Sequence, residues 1–259
     1  MITYHFSLYD FEYFLAILVR TASFVAVMPL YSLQGVPTRL RIGLAFFISV
    51  VLYQYLPHAH LEYVDVIGYA VIVVKEAIAG ILMGFFTNVC TYIIALGGQF
   101  IDQHLGLMMA QEFNPMTNTT TAITGNFYNY VIFLLLFVSG LDHYLIRAFT
   151  ESYQLIPVGG TIFHTDQLLT SFIQFMTDMF VLGFRIALPI FACIMILNSV
   201  LGIMAKVAPQ MNMFSVGMQL KVMAGFLLLV ITVQILPYIS DYINTEIHRM
   251  MVFAVEGMS

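Results

Sequence analysis

Charge is what this chain has least of. Asp, Glu, Lys and Arg together make up 9% of its 259 residues, where soluble domains carry about 25%. The net charge is −5 with no basic cluster. Nothing offers the phosphate-neutralising surface that nucleic acid requires, and no nucleic acid is expected as a partner. Cysteine is scarce too: Cys90 and Cys193 lie in apolar stretches and read as small buried hydrophobes rather than a disulfide. There is no HExxH, no clustered Cys and His, and no glycine-rich phosphate loop followed by Lys-Ser/Thr, so neither metal nor cofactor is implied. His58 and His60 are close but have no evident third ligand. Nothing argues for an enzyme.

What is abundant is apolar length. Hydrophobic residues make up 61% of the chain and mean hydropathy is +0.92. Between Glu76 and Asp102 no residue is charged, a stretch of roughly 38 Å as helix, more than a ~30 Å hydrocarbon core needs. The chain reads as an all-α integral membrane protein with about six apolar helical segments: Phe11 to Leu33, Ile42 to Leu56, Val66 to Ile101, Phe127 to Leu141, Met179 to Met204 and Val222 to Ile239. Arg20 sits in the middle of the first, which lacks a basic leader and a small-residue cleavage site, so it reads as retained. Asp166 to Met204 has no breaker before Pro189 and predicts a helix on the order of 60 Å, far longer than a bilayer requires. At its start Leu168, Leu169, Phe172, Phe175 and Met176 recur at helical spacing; Ile243, Ile247, Met250 and Ala254 form a similar stripe in the tail. Both read as partner-facing.

The most informative feature is a polar, structure-breaking interruption from Gln99 to Asn126. Gly106, Asn114-Pro115 and the threonine run 119 to 121 disfavour helix. Lipid cannot satisfy the free backbone groups of such a stretch, so it must face water or lie within protein. Yet it carries Leu107, Met108, Met109, Phe113 and Met116, side chains of little use to a solvated loop. A loop polar in backbone and apolar in side chain is suited to line or close a pore.

Other positions stand out. Arg20, Lys75, Glu76 and Arg185 lie inside apolar helices, with Asp102 at the edge of one, where each charge must be paired, wet or in contact with another subunit. Gly80 and Gly84 form a GxxxG pair for close helix packing, within the chain or between subunits. Seventeen methionines offer flexible, polarizable side chains that can fill a crowded core or, in the central loop, seal around varied chains. Ala205 to Phe214 marks a helical hairpin turn at Pro209. Basic residues flank it (Lys206, Lys221) and flank the first loop (Arg39, Arg41), which places both on the cytoplasmic side. Asp10 after Tyr9 and Asp142 after Gly140-Leu141 hint at an intramembrane aspartate pair, but Asp142 lacks the directly preceding glycine that such chemistry would want.

Taken together, Ala208-Pro209-Gln210-Met211-Asn212-Met213-Phe214, Lys221 after Gly217, Gly98 with Gly106-Leu107 and Asn114-Pro115, Arg20 with Pro29, Pro37 and Arg39, and Leu155-Ile156-Pro157-Val158-Gly159 resemble the FliR family of flagellar biosynthesis proteins, components of a type III secretion export gate. The likeness spans nearly the whole chain. It departs at Asn114, where the family commonly has an acidic residue, and at Gln219, where proline is frequent. The resemblance implies a single export-gate subunit in the bacterial inner membrane, within the flagellar basal body. It implies a FliP-like part over 1–141 with a plug loop at about 103–126, and linker helices with a FliQ-like hairpin over 142–259. Implied partners are FliP-like and FliQ-like membrane subunits, FlhB-like and FlhA-like export components, unfolded flagellar substrates and membrane lipid. The implied plug comprises Gly106, Leu107, Met108, Met109, Phe113, Asn114, Pro115 and Met116. The implied cytoplasmic turn comprises Lys206, Pro209, Gln210, Asn212, Phe214 and Lys221. Two other readings remain: an injectisome homologue sharing the hairpin, and a small-solute secondary transporter, which would want internal repeats that are not evident here.

Overall fold

The computed structural model describes residues 8–29, 31, 36–57, 61, 63, 65–105, 112–114, 119–121, 123–208, 210 and 213–259. Proline and glycine place most of the helix ends. Helix α1 (Leu8–Val27) stops just short of Pro29, and α2 (Thr38–Tyr55) starts directly after Pro37 and ends ahead of Pro57. A proline lacks a donor and disfavours helix in the residue before it. Helix α3 (Val66–Leu105) has no such interruption and runs 40 residues. Helices α4 (Ile123–Val138) and α5 (Leu141–Leu155) are separated by Gly140, whose φ of 78° supplies the left-handed turn; the two are bent by 63°. Helix α6 (Thr165–Val207) runs 43 residues through Pro189. Helix α7 (Met213–Thr232) passes through a 3-10 turn at Val233–Ile235 into α8 (Leu236–Glu256), where Pro237 sits in the tolerant first turn.

The all-α class expected from sequence is what the structure has, with one small exception: strands β1 (Glu112–Asn114) and β2 (Thr119–Thr121) pair antiparallel, Glu112 opposite Thr121 and Asn114 opposite Thr119. Each of the six apolar segments is helical over most of its described residues, but fewer qualify as spans. Val66–Leu105, Thr165–Val207 and Ser215–Glu256 are long and apolar enough, and the bent pair α4–α5 would make a fourth. Helix α1, with Asp10, Glu12 and Arg20, and α2, with Arg39 and Arg41, do not.

Contacts divide the chain into two units, each assembled from separate stretches of sequence. The first holds Met1–Cys90, Gly140–Ile173 and Asn244–Ser259; the second holds Thr91–Ser139 and Gln174–Ile243. Each thus draws on both halves of the sequence. In the first unit α1 and α2 pack through Phe14, which meets Phe46 and Tyr53 edge-on at 6.0 and 5.8 Å, while Phe24 stacks on Phe149 at 4.4 Å. Of the tail stripe, Ile247, Met250 and Ala254 are buried in this unit and Ile243 in the second. That stripe therefore serves the chain's own core and not a partner. Phe175 at the start of α6 is likewise buried, whereas Leu169 is exposed. Cys90 is buried as expected; Cys193 instead lies on the surface, because α6 turns that face outward.

Candidate functional site

The central interruption is anchored at both ends within the second unit. Asp102, one turn from the end of α3, is completely buried, and both its carboxylate oxygens accept from the Thr124 backbone N–H at 3.3 Å. Thr124 is in the first turn of α4, where backbone donors lack helical partners and the helix dipole favours an anion. Asp102 therefore caps α4 from across the loop. One turn earlier, Gly98 lies so close to α4 that a Cβ there would fall on the Gly125 backbone. Both contacts tie the last turns of α3 to the first turn of α4. Phe113 and Asn114 belong to β1, opposite Thr120 and Thr119. Gly106, Leu107, Met108, Met109, Pro115 and Met116 lie outside the described residues. The expected break in helix is there, with an ordered strand pair at its centre where an irregular segment was expected.

Farther along this unit, α3 and α6 pack through small residues. A Cβ on Gly183 would press on Leu96, and one on Gly97 would touch Ile186. Phe100 stacks on Phe184 at 4.6 Å, and His104 meets Phe191 edge-on at 4.7 Å. These groups, with Ala187 and Leu188, border an apolar crevice of about 140 Å³. Tyr128 of α4 and Thr232 of α7 share a buried hydroxyl–hydroxyl hydrogen bond of 2.8 Å.

The expected hairpin turn falls where α6 ends at Val207 and α7 begins at Met213. Lys206 is in the last turn of α6, where a cation suits the helix C-terminus. Gln210 is exposed in the turn, and Phe214 and Lys221 are in α7. Pro209 and Asn212 lie outside the described residues. Gly217 packs on Leu201 across the hairpin.

The charges of the first unit form a single buried construction. Arg20 of α1 and Glu76 of α3 are both completely buried. The guanidinium donates through Nε and Nη2 to the two Glu76 oxygens, and through Nη1 to the Ile156 carbonyl at 2.9 Å. Its face lies 4.4 Å from the Tyr153 ring centre. Glu76 Oε1 also accepts from the Gly159 N–H at 2.9 Å, where φ is 83°. Lys75 Nζ reaches toward the Thr161 carbonyl at 3.5 Å. Three backbone polar groups of the α5–α6 connection, at 156, 159 and 161, are thus held from α1 and α3. The connection is held from the tail as well: Ile162 N–H donates to the Met258 carbonyl and His164 N–H to the Gly257 carbonyl, at 3.1 and 2.9 Å. Arg20 and Glu76 therefore need no second subunit. Gly80 and Gly84 act in the same place: a Cβ on Gly80 would overlap Ser23 Oγ and the Arg20 carbonyl, and one on Gly84 would sit 3.0 Å from the Phe24 carbonyl. The GxxxG pair seats α3 on α1 inside one chain. Arg185 differs. It is exposed on α6, and no ion pair to it exists among the described residues.

Comparison with known proteins places this arrangement. A profile of the family described as bacterial export proteins, family 1, matches residues 11–247. The chain belongs to that family. The "Flagellar biosynthetic protein FliR" of Aquifex aeolicus (strain VF5) is 29% identical over 220 residues, covering 84% of this chain and 83% of that protein. The protein of the same name from Bacillus subtilis (strain 168) is 26% identical over 228 residues, covering 87% and 88%. That of Escherichia coli (strain K12) is 24% identical over 237 residues, covering 90% and 89%. The family match takes in α1 through most of α8, and so both the clamped central loop and the Arg20–Glu76 construction. Sequence reading singled out Asp102, Arg20 and Glu76 but not their partners. Thr124-Gly125 and Gly97-Gly98 were the available signal, small residues placed symmetrically on either side of the loop.

Proposed function

We infer that this chain is a pore-forming subunit of the flagellar type III export gate. It is a component of the flagellar export apparatus, an integral protein of the bacterial inner membrane. Its relatives are named as flagellar proteins, which favours the flagellar branch over an injectisome homologue. In this reading it assembles with FliP-like and FliQ-like subunits, meets FlhB-like and FlhA-like components, and passes unfolded flagellar substrates. Lys206 and Lys221 face the cytoplasm. The loop from Gly106 to Ala122 is the plug at rest.

The observation that carries the plug is the anchoring of the loop. Asp102 to Thr124 and Gly98 to Gly125 fix its two ends, while the stretch between carries helix-disfavouring Gly106 and Asn114-Pro115 together with Leu107, Met108, Met109, Phe113 and Met116. A plug needs a rigid hinge line and a deformable, weakly held body, so that a passing chain can displace it. Deleting Met108 to Thr119 should raise the small-ion conductance of the assembled complex in a planar bilayer while assembly persists. A deletion complex that assembles normally and leaks no more than the intact one would refute the plug.

A further inference from the structure

Two helix defects meet at one level of the second unit. In α6, Pro189 has no N–H to offer the Arg185 carbonyl one turn back. Facing it, Pro237 has none for the Val233 carbonyl. There the chain tightens, and the Leu236 N–H donates to Val233 instead, in the 3-10 turn between α7 and α8. Arg185 and Pro189 on one side and Thr232 and Leu236 on the other border a shared cavity of about 30 Å³, which Tyr128 of α4 also lines. Both defects stand equally far from the hairpin turn. Pro189 to Val207 and Met213 to Thr232 each rise on the order of 27–29 Å as helix. Proline kinks and 3-10 stretches within helices are where helices bend, and a close-packed interior needs such room before they can.

A hydrogen bond joins α4 to this level. Thr232 Oγ1 donates to the Leu229 carbonyl at 3.1 Å, so in its 2.8 Å contact with the Tyr128 hydroxyl it is Tyr128 that donates. Both residues are buried. Tyr128 lies one turn past Thr124 and Gly125, the part of α4 that is fixed to α3. Nearer the turn, Gly217 packs on Leu201 and joins the two arms of the hairpin.

We propose that Pro189 and the 3-10 turn at Val233–Ile235 form a pivot for the hairpin of residues 190–232, and that the Tyr128–Thr232 hydrogen bond latches the hairpin to α4. What the pivot does in transport rests on the export-gate reading, in which the hairpin yields to a passing chain while the anchor of the central loop stays in place. The pivot itself does not rest on it.

The distance between two spin labels tests this. Leu134 of α4 and Ile203 of α6 are exposed, one on the fixed body and one on the swinging arm. Residue 203 lies about 21 Å beyond Pro189, so a pivot of about 20° carries it through about 7 Å. Leu134→Cys and Ile203→Cys are combined with Cys193→Ser, and the buried Cys90 is kept. The chain is labelled in the complete assembly with cysteine-free partners, in liposomes. Pulsed electron–electron double resonance should resolve a major and a minor distance. Tyr128→Phe, which removes only the hydroxyl, should raise the ratio of minor to major distance roughly fivefold, the net effect of one hydrogen bond. Thr232→Val should do the same, and the double variant no more than either. Pro189→Ala restores an N–H for the Arg185 carbonyl and should lower the ratio. A single distance in every variant, or Tyr128→Phe and Pro189→Ala shifting the ratio the same way, overturns the pivot. A double variant in which the two single effects multiply overturns the latch. Failure of the plug reading shows separately, as unchanged leak in the loop deletion, and leaves these distances unaltered.

Discussion

Arg20 and Arg185 look alike in the sequence, each a single cation in the middle of an apolar helix, and the fold uses them in opposite ways. Arg20 is sealed inside the first unit with Glu76, the Ile156 carbonyl and the Tyr153 ring. Arg185 stands on the surface of the second unit with no ion pair among the described residues. The difference lies in what each charge organises. The first unit uses buried polarity to pin an otherwise unstructured connection between α5 and α6. The second unit packs through glycines and aromatics and holds one carboxylate, Asp102, to cap a helix. A charge in an apolar helix is therefore not in itself a sign of a pore or of a partner; its neighbours decide.

The sharpest test of this contrast removes one member of the buried pair. Glu76→Ala leaves Arg20 buried and uncompensated and should cost about 3–5 kcal/mol. In hydrogen exchange the segment 156–164 should lose protection first. Replacing both residues, Arg20→Met with Glu76→Leu, should recover much of the loss, while Arg185→Ala should change stability by about 1 kcal/mol or less. A Glu76→Ala variant as stable as Arg185→Ala would dissolve the comparison.

Next in size is the glycine packing of the second unit. Gly98→Ala forces a methyl group into the Gly125 backbone and should destabilise by about 1–3 kcal/mol or more through overpacking, with weaker anchoring of the central loop. Gly202 is in α6 with open space around it, so Gly202→Ala should stabilise, by up to about 1 kcal/mol. Detergent-solubilised thermal unfolding of the two variants compares them directly.

The Asp102 cap should be smaller still. Asp102→Ala should cost about 1 kcal/mol, with Asp102→Asn much milder because an amide oxygen can also cap. Exchange at the Thr124 amide reports it. If Asp102→Ala and Asp102→Asn behave alike and leave that amide protected, the cap is not what holds the loop.

The smallest effect belongs to a half-buried polar contact of the first unit, where Tyr63 donates to Glu12. That hydrogen bond, with lesser help from desolvation and the Glu12 charge, pushes the phenol up to about 12 from an ordinary value of 10.0. A raised folded pKa means the contact contributes fully below pH 10.0 and fades as pH rises toward about 12. Tyr63→Phe should flatten that window in a pH series of proteolytic opening and remove the late-titrating tyrosinate from the ultraviolet spectrum.

The local rules were legible from the residues alone. Proline and glycine positions give the ends of α1, α2 and α5, and the absence of a break from Val66 onward gives the 40-residue α3. The long α6, the helix-breaking central segment and the hairpin before Lys221 were equally open to reading, since backbone preference and apolar period act within a few residues. Partners were not legible. Arg20 and Glu76 are 56 residues apart and Arg20 and Ile156 are 136 apart; no periodicity links them. The tail stripe looked like a docking face because its period records only that one side is apolar, and the same pattern results whether the cover is another subunit or the chain's own core.

The sequence by itself determined that this is a helical membrane protein with an interrupted centre, because composition and local backbone chemistry leave a chain of this kind no other folded state. Which charges are sealed and which exposed, that Asp102 caps α4, and that the GxxxG pair seats α3 on α1 were decided only by tertiary structure. Burial and hydrogen-bond satisfaction depend on what distant segments bring to the same point in space.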